Sequence, residues 1–489
     1  AQVTASAGPG LVVGGFFDGQ LLGKASGGRD GLVATWDPSG RRRAVFSFRT
    51  SGGDAGDWVY ALSEFAGSGI LVGGSACENL NGQCVLEVEE LNGTGRRFAL
   101  PMGERTGGRA GFILALDGEG DSPWQVVLTS QCDHSSACSS SVRSLVSTES
   151  LIYGILQHEG GVTWDRRQGE QLTGSIAIPG ERSAQSTLFV ADMTGQLLAQ
   201  YALTASDGLW AYDLAVAKTE TGHRAVIGGQ WKGRLNADLG QRVARNPSGF
   251  VADIRVNETI QGPALGPVRR LFSVENENYS GTYGVAIASD GGVWATGYRY
   301  GQINFVDDSV AHSENNSRMT DPWLVGYRDA AGIHFAEVFT DMRFDSEGLG
   351  VEVVDSDEVA LTIYSSNQNL SSVTVRRHDP DGGLLWSREL RPHQTVSTRI
   401  ARPQVGNGNH LLMAASTQHS EVNVPINIAL GQSASDESVM LGGPSGMIWA
   451  GLVRSTASGG RCSENACLST CGDGLRSLGE HCDDGNLTP

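Results

Sequence analysis

Two neighbouring stretches, VWATGYRYG at residues 293–301 and PWLVGYRDAAG at residues 322–332, decide the fold class of this chain. The first is an apolar strand with a glycine near its end, and in the second apolar and polar positions alternate, which is the pattern of a β-strand whose two faces meet different surroundings. The second stretch continues into an acid and a glycine turn, which is hairpin turn chemistry. The same pair recurs along the chain, so the sequence predicts a repeat protein made of β-strands.

Seven segments share the second phrase, a short β-rich run that is often followed by an acid and a glycine turn. They are GLVATWDPSG (31–40), GFILALDGEG (111–120), TLFVADMTGQ (187–196), GFVADIRVNE (249–258), PWLVGYRDAAG (322–332), SVTVRRHDPDGG (372–383) and GMIWAGLVRS (446–455). An apolar strand precedes each of them and often closes on glycine, as in ILVGGSA (70–76). A further run precedes most of these pairs, as in WVYALSE (58–64), and a fourth follows six of the seven.

Four antiparallel strands per unit, repeated seven times, predict a seven-bladed β-propeller over residues 1–455. Strand-plus-helix solenoids are excluded because no segment carries a 3.6-residue apolar period with helix caps. A pair of β-sandwiches would explain the number of strands but not the sevenfold phrase. The fold class is therefore all-β, with a second small module predicted over residues 456–489.

Composition and charge limit the partners and the compartment. The formal net charge is −18, which excludes a nucleic-acid partner or an anionic membrane because phosphate binding needs clustered Lys and Arg. No run of 18 apolar residues occurs, so we expect no transmembrane segment in this chain. The first residues, AQVTASAG, have no basic or apolar leader, so a secretory signal is expected to be absent or already removed.

The eight cysteines predict disulfides in an oxidising compartment, because their number is even and they close short loops. Two local pairs are expected, Cys77 with Cys84 and Cys132 with Cys138. The other four crowd near the end of the chain, at Cys462, Cys467, Cys471 and Cys482. Both local pairs fall on the rim that carries the connections between second and third strands. Two roles stay open for them: making that rim rigid for a ligand, or protecting its loops from proteolysis.

Three of those connections are long, at residues 75–109, 302–321 and 416–445. Loops of this length are usually functional or disordered, so this rim is expected to carry the binding surface. The last blade is expected to have only three strands, because the small, polar TASGGRCSENAC follows residues 446–455. Its open edge would need a cover, either the cysteine-rich tail or a strand donated by another molecule.

The stretch VWATGYRYGQINF, followed by PWLVGYRDAAG, resembles the bacterial SBBP-type β-propeller repeat family. That resemblance covers residues 1 to about 455 and implies a secreted propeller, without implying an enzymatic activity. The sixth and seventh blades depart from the family pattern. Where the other blades carry paired glycines, these have Ile363-Tyr364 and Ala415-Ser416.

The tail resembles another family on the strength of CGDG (471–474) and GEHCDDGN (479–486). These motifs are similar to the Myxococcus-type cysteine-rich repeat, which implies a secreted or surface protein. Three physical interpretations stay open: zinc on the four cysteines, a disulfide knot with exposed acids, or calcium on hard oxygen ligands. The disulfide knot is preferred, with its pairing open. The calcium ligands would be Asp473, Asp483, Asp484 and Asn486.

No catalytic motif is present: the ten histidines form no H-x-x-x-H or H-E-x-x-H pair, and no G-x-S-x-G elbow or P-loop occurs. The sequence therefore predicts a secreted or cell-surface binding or assembly protein, such as an adhesin, a surface-layer or appendage subunit, or a scaffold. Its partner is expected to be a protein or a surface glycan, with self-assembly or strand donation at blade seven. The alternative is an extracellular propeller hydrolase or lyase acting on glycan. Three or more perturbed carboxylates or histidines at the mouth of the channel would favour that enzyme.

Overall fold

The structure, a computed structural model, describes residues 2–6, 10–21, 24–36, 42–51, 56–66, 69–78, 81–91, 97–106, 108–131, 138–236, 239, 242–276, 278–306, 311–314, 319–340, 345–354, 357–366, 371–392, 397–400, 404–406, 410–418, 426–430, 438–441 and 448–454. This part of the chain is all-β, with thirty-six strands and no α-helix. No helix within it has the length and apolar character that a membrane crossing needs.

The first twelve strands are β1 (Gln2–Ser6), β2 (Gly10–Leu21), β3 (Lys24–Trp36), β4 (Arg42–Thr50), β5 (Gly56–Phe65), β6 (Gly69–Glu78), β7 (Asn81–Glu90), β8 (Arg97–Thr106), β9 (Ala110–Leu116), β10 (Trp124–Gln131), β11 (Ser140–Ser147) and β12 (Leu151–His158). The next twelve are β13 (Gly161–Gln168), β14 (Gln171–Ile178), β15 (Gln185–Asp192), β16 (Leu197–Leu203), β17 (Gly208–Thr219), β18 (Gly222–Arg234), β19 (Val243–Thr259), β20 (Gly262–Asn276), β21 (Tyr279–Ile287), β22 (Val293–Tyr300), β23 (Ile303–Val306) and β24 (Ala311–Glu314). The last twelve are β25 (Thr320–Arg328), β26 (Gly332–Val338), β27 (Asp345–Val353), β28 (Val359–Ser366), β29 (Ser371–His378), β30 (Leu384–Pro392), β31 (Ser397–Ile400), β32 (Gln404–Gly406), β33 (His410–Gln418), β34 (Ile426–Leu430), β35 (Ser438–Leu441) and β36 (Ile448–Arg454).

Within the described residues these strands form seven antiparallel sheets, numbered here along the chain. Their strand orders are β1-β2-β3-β4-β7-β8 in sheet 1, β5-β6-β9-β10-β13-β14 in sheet 2, β11-β12-β15-β16 in sheet 3, β17-β18-β19-β20-β23-β24 in sheet 4, β21-β22-β25-β26 in sheet 5, and β27-β28-β29-β30-β34-β35 in sheet 6. In sheet 7, β31 and β32 both pair with one edge of β33, and β36 pairs with its other edge. The strands predicted from the repeated phrases are therefore present, and in the predicted order. The prediction of four strands per unit is wrong for sheets 1, 2, 4 and 6, which have six strands among the described residues.

The long connections contain β-hairpins, so the prediction that they are loops is wrong over their described residues. The hairpins β7–β8, β23–β24 and β34–β35 each pair with the outer strand of the preceding sheet. In β7 the sequence explains this outcome, because Cys84, Leu86 and Val88 are buried while Gln83 and Glu87 are exposed. That alternation is the period of a half-buried strand. A further hairpin, β13–β14, extends sheet 2 in the same way.

The core is divided into apolar layers between consecutive sheets. Five such layers separate sheets 1 to 6 among the described residues. The first strands of sheets 2 to 6 each contribute a buried aliphatic residue, two positions after the same point in the strand, to the layer shared with the preceding sheet. These residues are Leu62, Leu145, Leu214, Val285 and Val351. Burial of one such side chain stabilises the fold by about 1.5–3 kcal/mol.

Successive sheets lie against one another in chain order. The first strands β5, β11, β17, β21 and β27 each contact the sheet before their own. At the two ends of the series, β32 and β33 of sheet 7 lie against β1 of sheet 1. The described strands of sheet 7 occupy three positions, and residues 455–489 lie outside the described residues. The three-stranded last unit therefore stays a prediction.

The acid of the repeated phrase closes the turn between third and fourth strands. Asp117, Asp192 and Asp379 each accept hydrogen bonds from the backbone N–H groups two and four residues further on, at 2.7–3.0 Å. A glycine with positive φ follows three residues after each acid, with φ of 79° at Gly195 and 94° at Gly382. Only glycine adopts this backbone readily. The hairpin turn chemistry predicted for the phrase is confirmed at these three turns.

Candidate functional site

A β-bulge recurs at the same place in the first strand of sheets 2 to 6. The pairing with the second strand shifts between Val59 and Ala61, between Val142 and Ser144, between Ala211 and Asp213, between Thr282 and Gly284, and between Gly348 and Gly350. A bulge leaves one residue unpaired and re-aims its side chain. The five bulged residues, called the bulge row below, are Tyr60, Arg143, Tyr212, Tyr283 and Leu349. All five side chains are half-buried.

Next to these bulges, the second strand has room only for glycine. A Cβ atom at Gly74 would lie 2.0 Å from the carbonyl oxygen of Trp58, which precedes the bulge. The corresponding distance is 2.3 Å at Gly229 and 1.9 Å at Gly297. No side chain fits where the backbone approaches this closely. In sheet 6, Ile363 occupies the position where other second strands have a glycine. It pairs with Gly348, so in this sheet the glycine lies on the first strand instead.

Arginine and aromatic side chains surround the Tyr60 end of the bulge row. The guanidinium of Arg29 lies 5.7 Å from the ring centre of Phe16 and 5.1 Å from that of Trp58. Arg109 lies 5.8 Å from the same Trp58 ring and donates a hydrogen bond to the hydroxyl of Tyr60 at 3.2 Å. Cations placed over aromatic faces at these distances are attracted by the ring quadrupole.

One acid is part of this group, Glu78 at the end of β6. It forms an ion pair with Arg109 and accepts a hydrogen bond from Trp58 Nε1 at 3.2 Å. The next guanidinium, that of Arg143, stacks on Tyr60 with 4.2 Å between its Cζ atom and the ring centre. Its Nε donates to Gln157 Oε1 at 2.7 Å.

Tyrosines dominate the other end of the bulge row. Ring centres are 5.3 Å apart for Tyr212 and Tyr283, and 4.9 Å apart for Tyr283 and Tyr298. The hydroxyl of Tyr298 donates to Gln230 Oε1 at 3.1 Å. The half-exposed Tyr279 continues the group by stacking on Tyr300 and tilting against Tyr298.

Burial shifts the pKa values of three phenols and one carboxyl group here toward the neutral form. Burial raises the pKa of Tyr212 and that of Tyr283 well above the usual range, and raises the pKa of Tyr298 to about 12. Burial also raises the pKa of Glu347, and the neighbouring Asp345 adds to the effect. The phenols therefore act as neutral hydrogen-bond donors and acceptors. Together, these side chains form the surface called the aromatic face below: Phe16, Trp58, Tyr60, Tyr212, Tyr279, Tyr283, Tyr298 and Tyr300, with Arg29, Arg109 and Arg143.

The disulfide predicted between Cys77 and Cys84 is present. It joins β6 of sheet 2 to β7 of sheet 1, so it connects two sheets rather than the two ends of a loose loop. Both cysteines are buried, and Cys77 has a φ of 66°. The backbone N–H of Cys77 donates to Asp57 Oδ1 at 3.0 Å. Because Glu78 follows directly, this arrangement fixes the acid that pairs with Arg109.

Only some of the other residues predicted from the sequence lie within the described part of the chain. Cys138 is disulfide-bonded, and its expected partner Cys132 lies outside the described residues. The cysteines of the tail and the four expected calcium ligands also lie outside them: Cys462, Cys467, Cys471, Cys482, Asp473, Asp483, Asp484 and Asn486. Within the described ranges, no group of three or more His, Cys, Asp or Glu residues is arranged to hold a metal ion.

Behind the bulge row, the first strands of sheets 2 to 6 line a cavity of about 250 Å³. Its polar walls come from Ser63, Asp213 and Glu352, among apolar neighbours. Asp213 Oδ2 accepts a hydrogen bond from the N–H of Val285 at 2.7 Å, which ties sheet 4 to sheet 5. These first strands therefore converge on one space.

The bulge row was not anticipated from the sequence, although a signal for it exists. The strands WVYAL (58–62), WAYDL (210–214) and TYGVA (282–286) each place a tyrosine two residues before the buried aliphatic position. Models of known protein families and curated proteins give no match to the chain.

Proposed function

We propose that this chain is a secreted or cell-surface binding protein, built as a seven-bladed β-propeller, whose aromatic face binds a surface glycan. Three observations support the propeller: seven antiparallel sheets in chain order, first strands that converge on one cavity, and the contact of β32 and β33 with β1. Propellers place blades of four strands around a central channel in this manner.

The single observation that carries the binding function is the bulge row. Five consecutive sheets depart from regular pairing at one level, and four of the five residues concerned are tyrosine or arginine. A bulge costs ladder hydrogen bonds, and such departures cluster at functional sites. The bulge row is therefore better explained by a ligand than by stability.

The chemistry of the aromatic face suits a glycan. Sugar rings present C–H faces that pack on aromatic rings, and they present hydroxyl groups that need precisely placed polar partners. Trp58 and Tyr212 supply rings, and Gln230 supplies an amide close to Tyr212 and Tyr298. An extracellular location is supported by the Cys77–Cys84 disulfide and by the acidic charge of the chain.

The experiment is a binding measurement with purified protein on a panel of neutral and acidic glycans. Tyr212→Ala is expected to lower affinity by roughly 10-fold or more, because central aromatic anchors carry most of the binding energy. Tyr212→Phe keeps the ring and is expected to lose less. The matched control is Tyr201→Ala, a half-buried tyrosine on the outer strand β16. Thermal unfolding of each variant separates lost binding from lost folding.

Two results would contradict the proposal. One is an absence of binding to every glycan on the panel, and the other is equal affinity in Tyr212→Ala and the wild type. Release of shorter products from a bound glycan would instead support the hydrolase or lyase. Among the described residues, Glu347 is the carboxyl group with a raised pKa beside the tyrosines, so Glu347→Gln is the variant that tests for such cleavage.

A further inference from the structure

Arg143 is the charged residue of the bulge row, whose other members are three tyrosines and a leucine. It is the bulged residue of sheet 3, so its neighbours in the row are Tyr60 of sheet 2 and Tyr212 of sheet 4. The ionisable groups that act on its guanidinium are these two tyrosines and Arg109. No described carboxylate is among them. Glu78, the acid of the group, is engaged by Arg109 and Trp58.

The guanidinium is nevertheless held in one orientation. Its Cζ atom lies over the Tyr60 ring, the Tyr60 side chain also hydrogen-bonds it, and its Nε is fixed by Gln157. Gln157 is itself buried and anchored, since its Nε2 donates to the carbonyl oxygen of Ala211 at 2.9 Å. These contacts hold the guanidinium in place, and the two terminal nitrogen atoms of an arginine form a fork of N–H donors that matches the two oxygens of a carboxylate.

We propose that Arg143 binds the carboxylate of an acidic sugar residue, so that the glycan recognised by the aromatic face is anionic. This inference rests on the proposed glycan-binding function and specifies its ligand class. A half-buried cation without a counter-ion is costly, and an incoming carboxylate removes that cost. Burial also lowers the pKa of Arg143, because a buried site disfavours the charged form of the guanidinium.

The neighbouring groups fit the rest of such a sugar. The Tyr212 ring, on the other side of Arg143, offers a surface for the sugar ring, and its pKa stays high enough that it never competes as an anion. A neutral sugar would use the same rings but would bring no negative charge to the guanidinium. The site is therefore expected to discriminate by charge rather than by size.

The test compares one oligogalacturonate preparation with the same preparation after chemical reduction of its carboxyl groups, using isothermal titration calorimetry. The wild-type protein is expected to bind the acidic form about 10- to 100-fold more tightly, as charged hydrogen bonds imply. Arg143→Gln is expected to bind both forms equally, at the level of the reduced form. Arg143→Lys keeps the charge without the fork and is expected to retain part of the preference. The matched control, Arg182→Gln, alters an exposed arginine and is expected to bind as the wild type does.

Each outcome supports or overturns a defined statement. Equal binding of both forms by the wild type, or a preference that survives in Arg143→Gln, overturns the role of Arg143 and leaves the proposed function standing. The inference also fails alone if neutral glycans of the panel bind and neither oligogalacturonate form does. If no glycan of any kind binds, the proposed function fails, and this inference fails with it.

Discussion

Asp57 makes the stability of the chain depend on pH in a direction that is unusual for a carboxylate. The residue is fully buried at the start of β5, where it accepts hydrogen bonds from the Thr50 N–H at 2.5 Å, the Thr50 hydroxyl at 2.6 Å and the Cys77 N–H at 3.0 Å. Burial raises its pKa from the usual 3.8 to about 7, and the nearby Asp30 adds to this, although the three hydrogen bonds act in the opposite direction. The folded protein therefore binds a proton that the unfolded chain has already released.

The sign and size of the effect follow from proton linkage. The contribution of Asp57 is fully present below pH 3.8, where both states are protonated, and is lost as the pH rises through about 7. One pKa unit corresponds to about 1.4 kcal/mol, so the whole contribution is about 4 kcal/mol. Between pH 5 and pH 7 about 2 kcal/mol of it should disappear.

The assay is guanidinium unfolding of the wild type and of Asp57→Asn at several pH values between 5 and 8. The amide cannot ionise, so the stability difference between the two proteins should shrink by about 2 kcal/mol from pH 5 to pH 7. The difference between the two proteins cancels the contribution of histidines such as His158 and His378. Burial lowers the pKa values of these two histidines, so their effect on stability as the pH rises has the opposite sign. Glu149→Gln, at an exposed position, serves as the control. A difference that stays constant over this range would refute the reasoning.

Three further predictions concern the framework of the sheets. Replacing Cys77 and Cys84 together by alanine should lower the free energy of unfolding by about 2–3 kcal/mol in denaturant titrations, and an unchanged midpoint would contradict this. Gly297→Ala should cost more than about 2 kcal/mol because its Cβ would lie 1.9 Å from a backbone oxygen, whereas Gly174→Ala, with open space around it, should be nearly neutral. Ile176→Lys on the exposed edge strand β14 should reduce concentration-dependent light scattering, since charges on edge strands prevent pairing between chains, and an unchanged scattering curve would argue against self-association there.

The strand framework could be predicted because each repeat carries its own local signals. Short apolar runs identify β9 and β25, and the acid with its glycine three residues later marks turns such as that at Asp192. The alternation expected for these two strands is wrong, because both of their faces are buried between neighbouring sheets. These signals act within one hairpin, so a single sequence displays them. The hairpin β13–β14 was not predicted, although its outer strand QLTGSIAI (171–178) alternates polar and apolar positions. That strand is exposed at nearly every position, so its alternation does not mark a buried face.

The candidate site could not be predicted because its members are brought together by pairing shifts, which are properties of two strands at once. Nothing in WVYAL alone shows that Tyr60 is unpaired; the shift becomes visible only when Val59 and Ala61 are matched to Gly74 and Gly73. The conspicuous glycine of the second strand is the trace of that shift. The sequence shows this glycine as part of a repeat, but it does not show why a glycine is needed there.

Four hairpins each extend the sheet before their own: β7–β8, β13–β14, β23–β24 and β34–β35. They affect how the molecule assembles and unfolds. They join sheet 1 to 2, 2 to 3, 4 to 5 and 6 to 7, whereas sheets 4 and 6 have only residues 235–242 and 367–370 between second and third strands and send no such arm backward. During synthesis, sheet 1 gains its outer edge only after β8 has been made. Segments that share strands open as cooperative units, so the molecule should separate into three: sheets 1–3, sheets 4–5 and sheets 6–7. Hydrogen exchange should accordingly be fastest at the seams that no described arm crosses: between sheets 3 and 4, between sheets 5 and 6, and between sheets 7 and 1. The first two of these seams run on either side of Tyr212 and Tyr283.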